Sequence, residues 1–298
     1  MKIRKSTGER VFDSFNVIIL FLFCLTILYP FVQQIMLSIS PPSEARLIGL
    51  HLYVKNPTLD AYKRIFFSGV IFEAYYWTIL RTIIGTILTV LVSAMISYPL
   101  SKRYLWGRKL WMWLVVFTMF FSGGLVPTYL LVRSLHLTNT IWSLVLPGML
   151  SAFNIIIIRN YFSSLPEELE ESARMDGAND IFIFFRIIMP LSTPVIATIT
   201  LWTMVWHWNS WFDAMIYITN DKIKVLQVVL RQTLNDASQM SGMNELLALN
   251  EIEMAGQLYT PESVKSAILI VVVLPILCVY PFLQKYFVKG IMIGAVKG

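Results

Sequence analysis

The stretch Ser164–Pro190, SLPEELEESARMDGANDIFIFFRIIMP, decides the fold because it is a polar island in an otherwise apolar chain. Ser164 and Glu167 have the spacing of a capping box at a helix start. Gly177 predicts a left-handed stop, and Asn179 or the aspartate after it can begin a second helix. The pattern therefore predicts a short helix, a tight turn, and a second helix that runs on into apolar sequence.

The first of these helices is predicted to be amphipathic. Leu165, Leu169 and Ala173 fall one turn apart and form a narrow apolar stripe. Glu170 and Arg174 are spaced as an i,i+4 ion pair in the favourable order. Glutamates crowd the first turn, where the helix dipole favours them. A helix of this kind is suited to docking into a partner.

The same stretch resembles the EAA loop in the permease subunits of ABC importers. The consensus of that family is E-A-A, three residues, G, nine residues, and I-x-L-P. Its positions are occupied here by Glu171-Ser172-Ala173, Gly177 and Ile187-Ile188-Met189-Pro190, with departures at Ser172 and Met189. The run LEESARMDGA is similar to the carbohydrate-uptake branch, and GIMIGAVKG at residues 290–298 resembles the tail of maltose-type permeases.

This resemblance implies contact with cytoplasmic ATPase subunits. The implied coupling residues are Glu170, Glu171, Ala173, Asp176, Gly177, Ala178 and Pro190. Among them Glu171 would form a salt bridge with the ATPase, and the alternative is a solvated glutamate. The tail residues implied to enter the interface between the ATPase subunits are Gly294, Val296, Lys297 and Gly298. A frayed terminus is the alternative for the tail.

The composition is that of a polytopic helical membrane protein. Of the 298 residues, 56% are hydrophobic and 14% are charged, and the mean hydropathy is +0.65. The net charge of +6 gathers beside apolar runs, which argues against nucleic acid as a partner. Cys24 and Cys278 fall within apolar runs, where we expect them to pack as small apolar side chains. They predict neither a disulfide nor a metal site.

Six apolar runs are long enough to span a membrane, at about residues 15–39, 75–100, 110–132, 141–158, 187–208 and 265–286. They predict an all-α protein with one transmembrane domain over residues 1–298, and the resemblance implies the ABC type I importer permease fold. Of the 24 basic residues, 14 lie on the side of the termini and eight on the other, so both termini are predicted to be cytoplasmic. Residues 159–186 are then a cytoplasmic coupling loop and residues 209–264 an external loop.

The sequence argues against both ATP hydrolysis and proton coupling within this chain. No Lys follows a Gly, so a Walker A loop is absent. No Asp or Glu occurs between Glu73 and Glu167, in 181–212 or in 263–298, although proton-coupled carriers usually need an intramembrane carboxylate. We therefore expect a transport subunit that is not itself an enzyme and holds no metal or cofactor. The resemblance implies that partner subunits bind ATP–Mg.

Aromatic residues gather at the outer end of the fifth predicted span. Tryptophan rings can stack on sugar faces, but an interfacial aromatic belt explains such a cluster equally well. The predicted substrate-pathway residues are Trp202, Trp206, Trp208, Asn209 and Trp211. Near the second span's outer end, Arg81 is expected to snorkel to the interface, and contact with an acidic ligand is the alternative.

The external loop is long enough to require a folded element of its own. Its segment Met240-Ser241-Gly242-Met243 is predicted to be a flexible tip. The resemblance implies that this tip meets an external sugar-binding protein. A lid packed over the outer end of the subunit is the alternative.

Three functions remain open at this point. The resemblance favours half of a sugar or oligosaccharide pathway in a bacterial cytoplasmic membrane. Its implied partners are a second, homologous permease, two cytoplasmic ATPase subunits, an external sugar-binding protein and membrane lipid. The alternatives are an ion-coupled secondary carrier, which the carboxylate-free spans disfavour, and a membrane receptor or scaffold.

Overall fold

Helices make up the regular structure of the part of the chain that the structure describes. The computed structural model describes residues 6–45, 49, 51–220, 222–246 and 259–295, with the backbone alone at 237–246, 280 and 282–295, and it shows no strand among them. A π-helical turn occupies Phe184–Ile188. The α-helices are α1 (Thr7–Ser38), α2 (Pro42–Ala45), α3 (Asp60–Phe67), α4 (Val70–Ser101), α5 (Arg108–Phe120), α6 (Leu125–Ser134), α7 (Ile141–Val145), α8 (Ala152–Phe162), α9 (Glu168–Met175), α10 (Asp180–Ile183), α11 (Met189–Leu191), α12 (Thr193–Asn209), α13 (Phe212–Tyr217), α14 (Leu226–Leu246) and α15 (Pro261–Ala295).

The chain divides into two compact units. The first comprises Met1–Gly69 and Leu230–Val273, and the second comprises Val70–Val229 and Leu274–Gly298. The second unit holds both the EAA-like segment and the aromatic cluster.

Within the first unit, α1 is a long helix with an exposed apolar surface. A capping box begins it, because Ser6 Oγ accepts from the Glu9 N–H at 3.3 Å and the Glu9 carboxylate accepts from the Ser6 N–H at 2.7 Å. Most of its large apolar side chains are exposed, which suits a helix that lipid or protein covers.

Cys24 in α1 and Cys278 in α15 are also exposed, so the expectation that they pack inside the protein is wrong.

The second unit is built around α4, which packs against α8 and α12. The buried face of α4 carries mainly small and hydroxyl side chains. Its buried hydroxyl residues include Thr78, Thr82, Thr86, Thr89, Ser93 and Ser97. Small side chains let helix backbones approach closely inside a membrane. A separate cluster of buried apolar residues, including Ile158, Phe184 and Ile199, packs the EAA-like segment against these helices.

Helix length and apolarity support three to five membrane spans among the described residues. α1, α4 and the Pro261–Val279 part of α15 each qualify alone. Two bent pairs qualify if each pair is one span. In these pairs α5 and α6 are bent by 111°, and Asp180–Leu191 and α12 are bent by 82°. The chain is thus a multi-pass membrane protein, while six spans and cytoplasmic termini stay predictions.

Two predicted segments have a different local structure. Residues 141–158 are not one continuous helix, because α7 ends before Pro147-Gly148 and α8 begins after them. Proline removes a helical hydrogen bond and glycine weakens helix formation, which explains the break. Met240–Met243 lies inside α14, so the predicted flexible tip is helical. Part of the predicted external loop, residues 247–258, lies outside the described residues.

Candidate functional site

The EAA-like segment forms two short helices joined by a tight turn, as predicted. Gly177 has a φ of 82°, in the left-handed region. Its N–H donates to the Arg174 carbonyl at 3.0 Å, and the Ala178 N–H donates to the Ala173 carbonyl at 3.0 Å. This pair of bonds is the Schellman motif, which satisfies carbonyls at a helix end. The side chain of Asn179 caps α10, which begins after the turn.

The helix start and the apolar stripe of this segment differ from the sequence prediction. Ser164 Oγ donates to a carbonyl of α8, and it does not form a capping box with Glu167. Leu165 and Ala173 pack against the apolar cluster, but Leu169 is exposed. Because α9 starts only at Glu168, the residues before it do not follow the helical spacing that the prediction assumed.

Glu170 is buried and ties α9 to the end of α4. Its carboxylate forms an ion pair with the Lys102 ammonium and accepts a hydrogen bond from the Tyr98 hydroxyl at 3.3 Å. Lys102 Nζ also lies 4.6 Å from the centre of the Tyr98 ring, a cation–π distance. The predicted pairing of Glu170 with Arg174 is wrong, because both side chains have other partners.

Arg174 bridges the two helices of the segment across the turn. Its guanidinium donates to Asp180 Oδ1 and to the Tyr104 hydroxyl, each at 2.7 Å. The hydrogen bond to Tyr104, and to a smaller extent the Asp180 carboxylate, raises the pKa of Arg174 above its usual value. The turn is therefore held by its backbone bonds and by one charged side chain.

A mixed acidic and apolar surface remains exposed on this segment. Met175 is 88% exposed and Ile181 is 71% exposed, beside the exposed carboxylates of Glu171 and Asp176. Large exposed apolar side chains grouped in this way mark an interaction surface. We call it the docking face, and its residues are Leu169, Glu171, Met175, Asp176, Ile181 and Phe182.

The other implied coupling and tail residues have different positions. Ala173 and Ala178 are half-buried beneath the docking face, packed against the apolar cluster. Pro190 lies in α11 and is exposed. The backbone of Gly294 belongs to α15. Val296, Lys297 and Gly298 lie outside the described residues.

The helical period divides the predicted pathway residues between two sides of α12. One hollow of about 720 Å³, which we call the tryptophan hollow, is lined by four of them, Trp202, Trp206, Asn209 and Trp211. The fifth, Trp208, is buried and lines an apolar cavity of about 320 Å³. Positions 202, 206 and 209 share a helix face, whereas position 208 does not. Trp208 therefore lies apart from the other four predicted pathway residues.

A further cavity of about 370 Å³ shares Trp202 and Trp206 with the tryptophan hollow. It is bordered by α4, α8, α12 and the break between α7 and α8. We call it the polar pocket, and its lining is Thr89, Gly148, Ser151, Phe153, Asn154, Trp202, Thr203 and Trp206.

Arg81 is buried inside the second unit, so the prediction that it snorkels is wrong. One guanidinium nitrogen donates to the Ser210 carbonyl at 3.0 Å, and another forms an ion pair with Asp213. The same carboxylate accepts from the Ala214 N–H at 2.9 Å. The sequence analysis did not pair Arg81 with Asp213, the first acidic residue after the aromatic cluster. The presence of that acidic residue was the one signal in the sequence that could have suggested the pair.

The imidazole of His207 in α12 packs directly against Gly85 in α4. A Cβ atom added at Gly85 would clash with the imidazole of His207, so a larger residue there would displace the ring. Among the described residues, no group of three or more His, Cys, Asp or Glu side chains is placed to bind a metal ion.

Comparison with known proteins identifies the family to which the chain belongs. Residues 101–293 match the model of the binding-protein-dependent transport system inner membrane component. The chain belongs to this family. It is a permease subunit of an ABC importer, as the EAA-like segment predicted. The alternatives of an ion-coupled carrier and a receptor are set aside.

Two of the known proteins similar to the permease match it over nearly its whole length. The polygalacturonan/rhamnogalacturonan transport system permease protein YtcP of Bacillus subtilis (strain 168) is 41% identical over 291 residues, which are 97% of this chain and 99% of that protein. The arabinooligosaccharides transport system permease protein AraQ of the same organism is 28% identical over 286 residues, 94% of each chain. The predicted carbohydrate-uptake branch is confirmed by these relatives.

A solved structure gives the same fold. It is the crystal structure of a bacterial ABC transporter involved in the import of the acidic polysaccharide alginate. One of its chains matches the permease with a TM-score of 0.86 and 32% identity, covering 96% of this chain and 100% of that chain.

Proposed function

We propose that the permease forms half of a pathway that imports an oligosaccharide, acidic ones included, across a bacterial cytoplasmic membrane. The observation that carries this proposal is the tryptophan hollow beside α12. Its exposed Trp202 and Trp206 rings can stack on the C–H faces of sugars, and Asn209 can bond their hydroxyls. The saccharides named for YtcP, AraQ and the alginate transporter support the same class of substrate.

The proposed complex has four further kinds of component. A second, homologous permease completes the pathway, two cytoplasmic ATPase subunits bind ATP–Mg, an external sugar-binding protein delivers the substrate, and lipid surrounds the spans. In this arrangement both termini are cytoplasmic and residues 209–264 are external. The helical Met240–Met243 segment of α14 meets the binding protein.

Coupling to the ATPase runs through the docking face in this proposal. Glu171 makes the charged contact, because it is exposed while its neighbour Glu170 is engaged inside the chain. Glu170 instead fixes the orientation of α9 relative to α4. An ATP-driven change can be transmitted only if the ATPase contacts the segment differently in its two states.

The test measures ATP-driven uptake of an oligosaccharide by the complex reconstituted in proteoliposomes. Glu171→Ala should abolish uptake while leaving membrane insertion intact, because it removes the exposed carboxylate of the motif. Glu168→Ala is the matched control, since Glu168 is exposed on the same helix but lies outside the motif. Removal of residues 291–298 should lower substrate-stimulated ATPase activity in the same vesicles. Uptake at the unmutated rate by Glu171→Ala would show that the coupling assignment is wrong.

A further inference from the structure

The loop that follows α4 holds the EAA-like segment. Three consecutive residues of this loop, Lys102, Arg103 and Tyr104, each contact a different side chain of the segment. The carbonyl of Ser101, the last residue of α4, also accepts a hydrogen bond from Ser163 Oγ at 3.3 Å. The end of α4 and the helix α9 are therefore connected by several side chains.

The two ion pairs in this connection differ in their exposure to water. In the Arg103–Glu167 pair, at 3.8 Å, the side chains are 87% and 72% exposed, so water and salt weaken the attraction. In the Lys102–Glu170 pair they are only 13% and 11% exposed. Separating a buried pair leaves each charge without compensation, which is costly. Lys102 and Glu170 therefore form the ionic contact that is better suited to carry a displacement from α9 to α4.

Tyr98, in the last turn but one of α4, extends this contact into the apolar cluster. Its hydroxyl donates to the Glu170 carboxylate at 3.3 Å, and its ring centre lies 4.6 Å from Lys102 Nζ. The same ring packs against Phe184 of the π-helical turn, with centroids 5.4 Å apart. The end of α4 is thus packed against both helical parts of the EAA-like segment.

A second ion pair lies in the other half of α4, which the proposed topology places outside. There Arg81 pairs with Asp213 and donates to the Ser210 carbonyl at 3.0 Å. Ser210 and Asp213 belong to the turn where α12 ends and α13 begins. Charged side chains therefore attach α4 to α9 at one end and to the α12–α13 turn towards the other.

α4 is built to move as one body between these two contacts. It is a continuous α-helix from Val70 to Ser101, and its proline, Pro99, lies in the last turn. An interior proline or a bulge would allow a helix to bend. The covalent route from α9 to α12 is less direct, because it contains a π-helical turn and Asp180–Leu191 is bent by 82° from α12.

We propose that α4 transmits the movement of α9 to the α12–α13 turn, with Lys102 and Glu170 as positioning residues at one contact and Arg81 and Asp213 at the other. This inference rests on the proposed coupling through the docking face. When the ATPase changes state and displaces α9, α4 follows because the buried pair stays closed. The α12–α13 turn, which contributes Ser210 to the tryptophan hollow, then moves with α4.

The experiment measures one distance within the permease in two nucleotide states. Spin labels are attached at Glu168→Cys in α9 and Met215→Cys in α13, both exposed positions outside the docking face. Cys24 and Cys278 are replaced by alanine, and the complete transporter with its binding protein is placed in nanodiscs. Electron paramagnetic resonance gives the distance between the labels without nucleotide and with ATP and vanadate. With both ion pairs intact the two distances should be equal, because α4 moves the two sites together.

The contact with α9 is tested by removing its positive charge. Lys102→Met should leave the distance without nucleotide unchanged, but ATP and vanadate should then shift the distance by at least about 2 Å, the scale of helix displacements in switching proteins. Lys102→Arg keeps the charge and should restore equal distances. Arg103→Met is the matched control and should also give equal distances, since its pair with Glu167 is exposed. If Lys102→Met fails to assemble, Glu170→Gln takes its place.

The contact with the α12–α13 turn is tested by removing both of its charges. Arg81→Leu combined with Asp213→Ala leaves no buried charge unpaired, so the fold is retained. ATP and vanadate should nevertheless shift the distance in this double variant by at least about 2 Å, because α13 no longer follows α4.

Several results would overturn the inference. They are a nucleotide-dependent distance with both pairs intact, equal distances in Lys102→Met or in the double variant, and failure of Lys102→Arg to restore equal distances. A distance altered by the same amount in both nucleotide states would also overturn it, because the pairs would then only stabilise the fold.

The proposed function is tested separately on the same transporter. Uptake of trigalacturonate and arabinotriose into proteoliposomes is measured with and without Glu171→Ala. Loss of uptake in Glu171→Ala together with equal distances in Lys102→Met would leave the docking face standing and remove the role of α4. Uptake of neither saccharide by the unmutated complex would count against oligosaccharide import, and the distances would still decide the role of α4.

Discussion

Arg81 and Asp213 place two opposite charges among the packed helices of the second unit. The guanidinium is fully buried, and the carboxylate side chain is 21% exposed. Removing one member of a buried pair leaves the other without compensation, whereas replacing both with apolar residues is often neutral. The pair is therefore expected to determine how firmly the Ser210–Asp213 turn is held to α4.

Asp213→Ala should lower the free energy of unfolding by about 3–5 kcal/mol, because it leaves the Arg81 guanidinium buried and unpaired. The double variant Arg81→Leu, Asp213→Ala should recover most of that loss. Asp60→Ala is the control, since its pair with Lys63 at 2.8 Å is largely exposed on the lysine side and is worth at most about 1 kcal/mol. Thermal denaturation of the purified complex measures all three. A double variant as unstable as Asp213→Ala would contradict this account.

Single residues were predictable from the sequence where their structure is local. Gly177 and Asn179 follow turn and capping rules that act within a few residues, and both have the predicted roles. Arg81 and Asp213 are 132 residues apart, and Glu170 is 68 residues from Lys102. Such pairs depend on how helices pack, and no spacing rule contains that information.

The turn between α9 and α10 needs glycine for its backbone conformation and not for space. A Cβ atom at Gly177 would meet nothing within 4 Å, yet φ is +82°. Gly177→Ala and Gly177→Leu should therefore impair uptake similarly, since the left-handed conformation costs an L-residue about 1–2 kcal/mol. Gly177→Asn should retain more uptake because asparagine tolerates that conformation. Uptake and membrane abundance are measured together, and a graded loss that follows side-chain volume would refute this explanation.

At the level of elements, the sequence predicted the helices but not all their interruptions. Glycine and proline interrupt helices, and in the third run, which contains Gly123-Gly124 and Pro127, α5 and α6 are bent by 111°. Pro147-Gly148 carries the same kind of signal in the fourth run, which was nevertheless predicted as continuous. Hydropathy measures whether a run is apolar, and it does not show whether the backbone lines a cavity.

For the whole molecule, the predicted topology places α14 outside and α9 inside. Ser241→Cys, in a background without the two native cysteines, should react with an impermeant thiol reagent applied to intact cells. Ser172→Cys should react only after the membrane is opened, because α9 faces the ATPase in this proposal. Docking of loaded binding protein should protect the cysteine at 241. Reaction at 172 from outside would overturn the topology, and labelling at 241 indifferent to the binding protein would favour the lid interpretation.

The buried face of α4, which carries Arg81 among its hydroxyl side chains, also affects how this helix is inserted into the membrane. α4 is apolar enough to enter a membrane alone, with a mean hydropathy of 2.1 over an 18-residue stretch. When ribosomes deliver it, however, neither α12 nor the carboxylate of Asp213 has been synthesised. We expect the newly inserted helix to hold Arg81 at the outer lipid headgroups and to move it inward only when the later helices arrive. Helix association after insertion, as in the two-stage view of membrane protein folding, would thus bury a charge that the translocation machinery never had to place in the bilayer core.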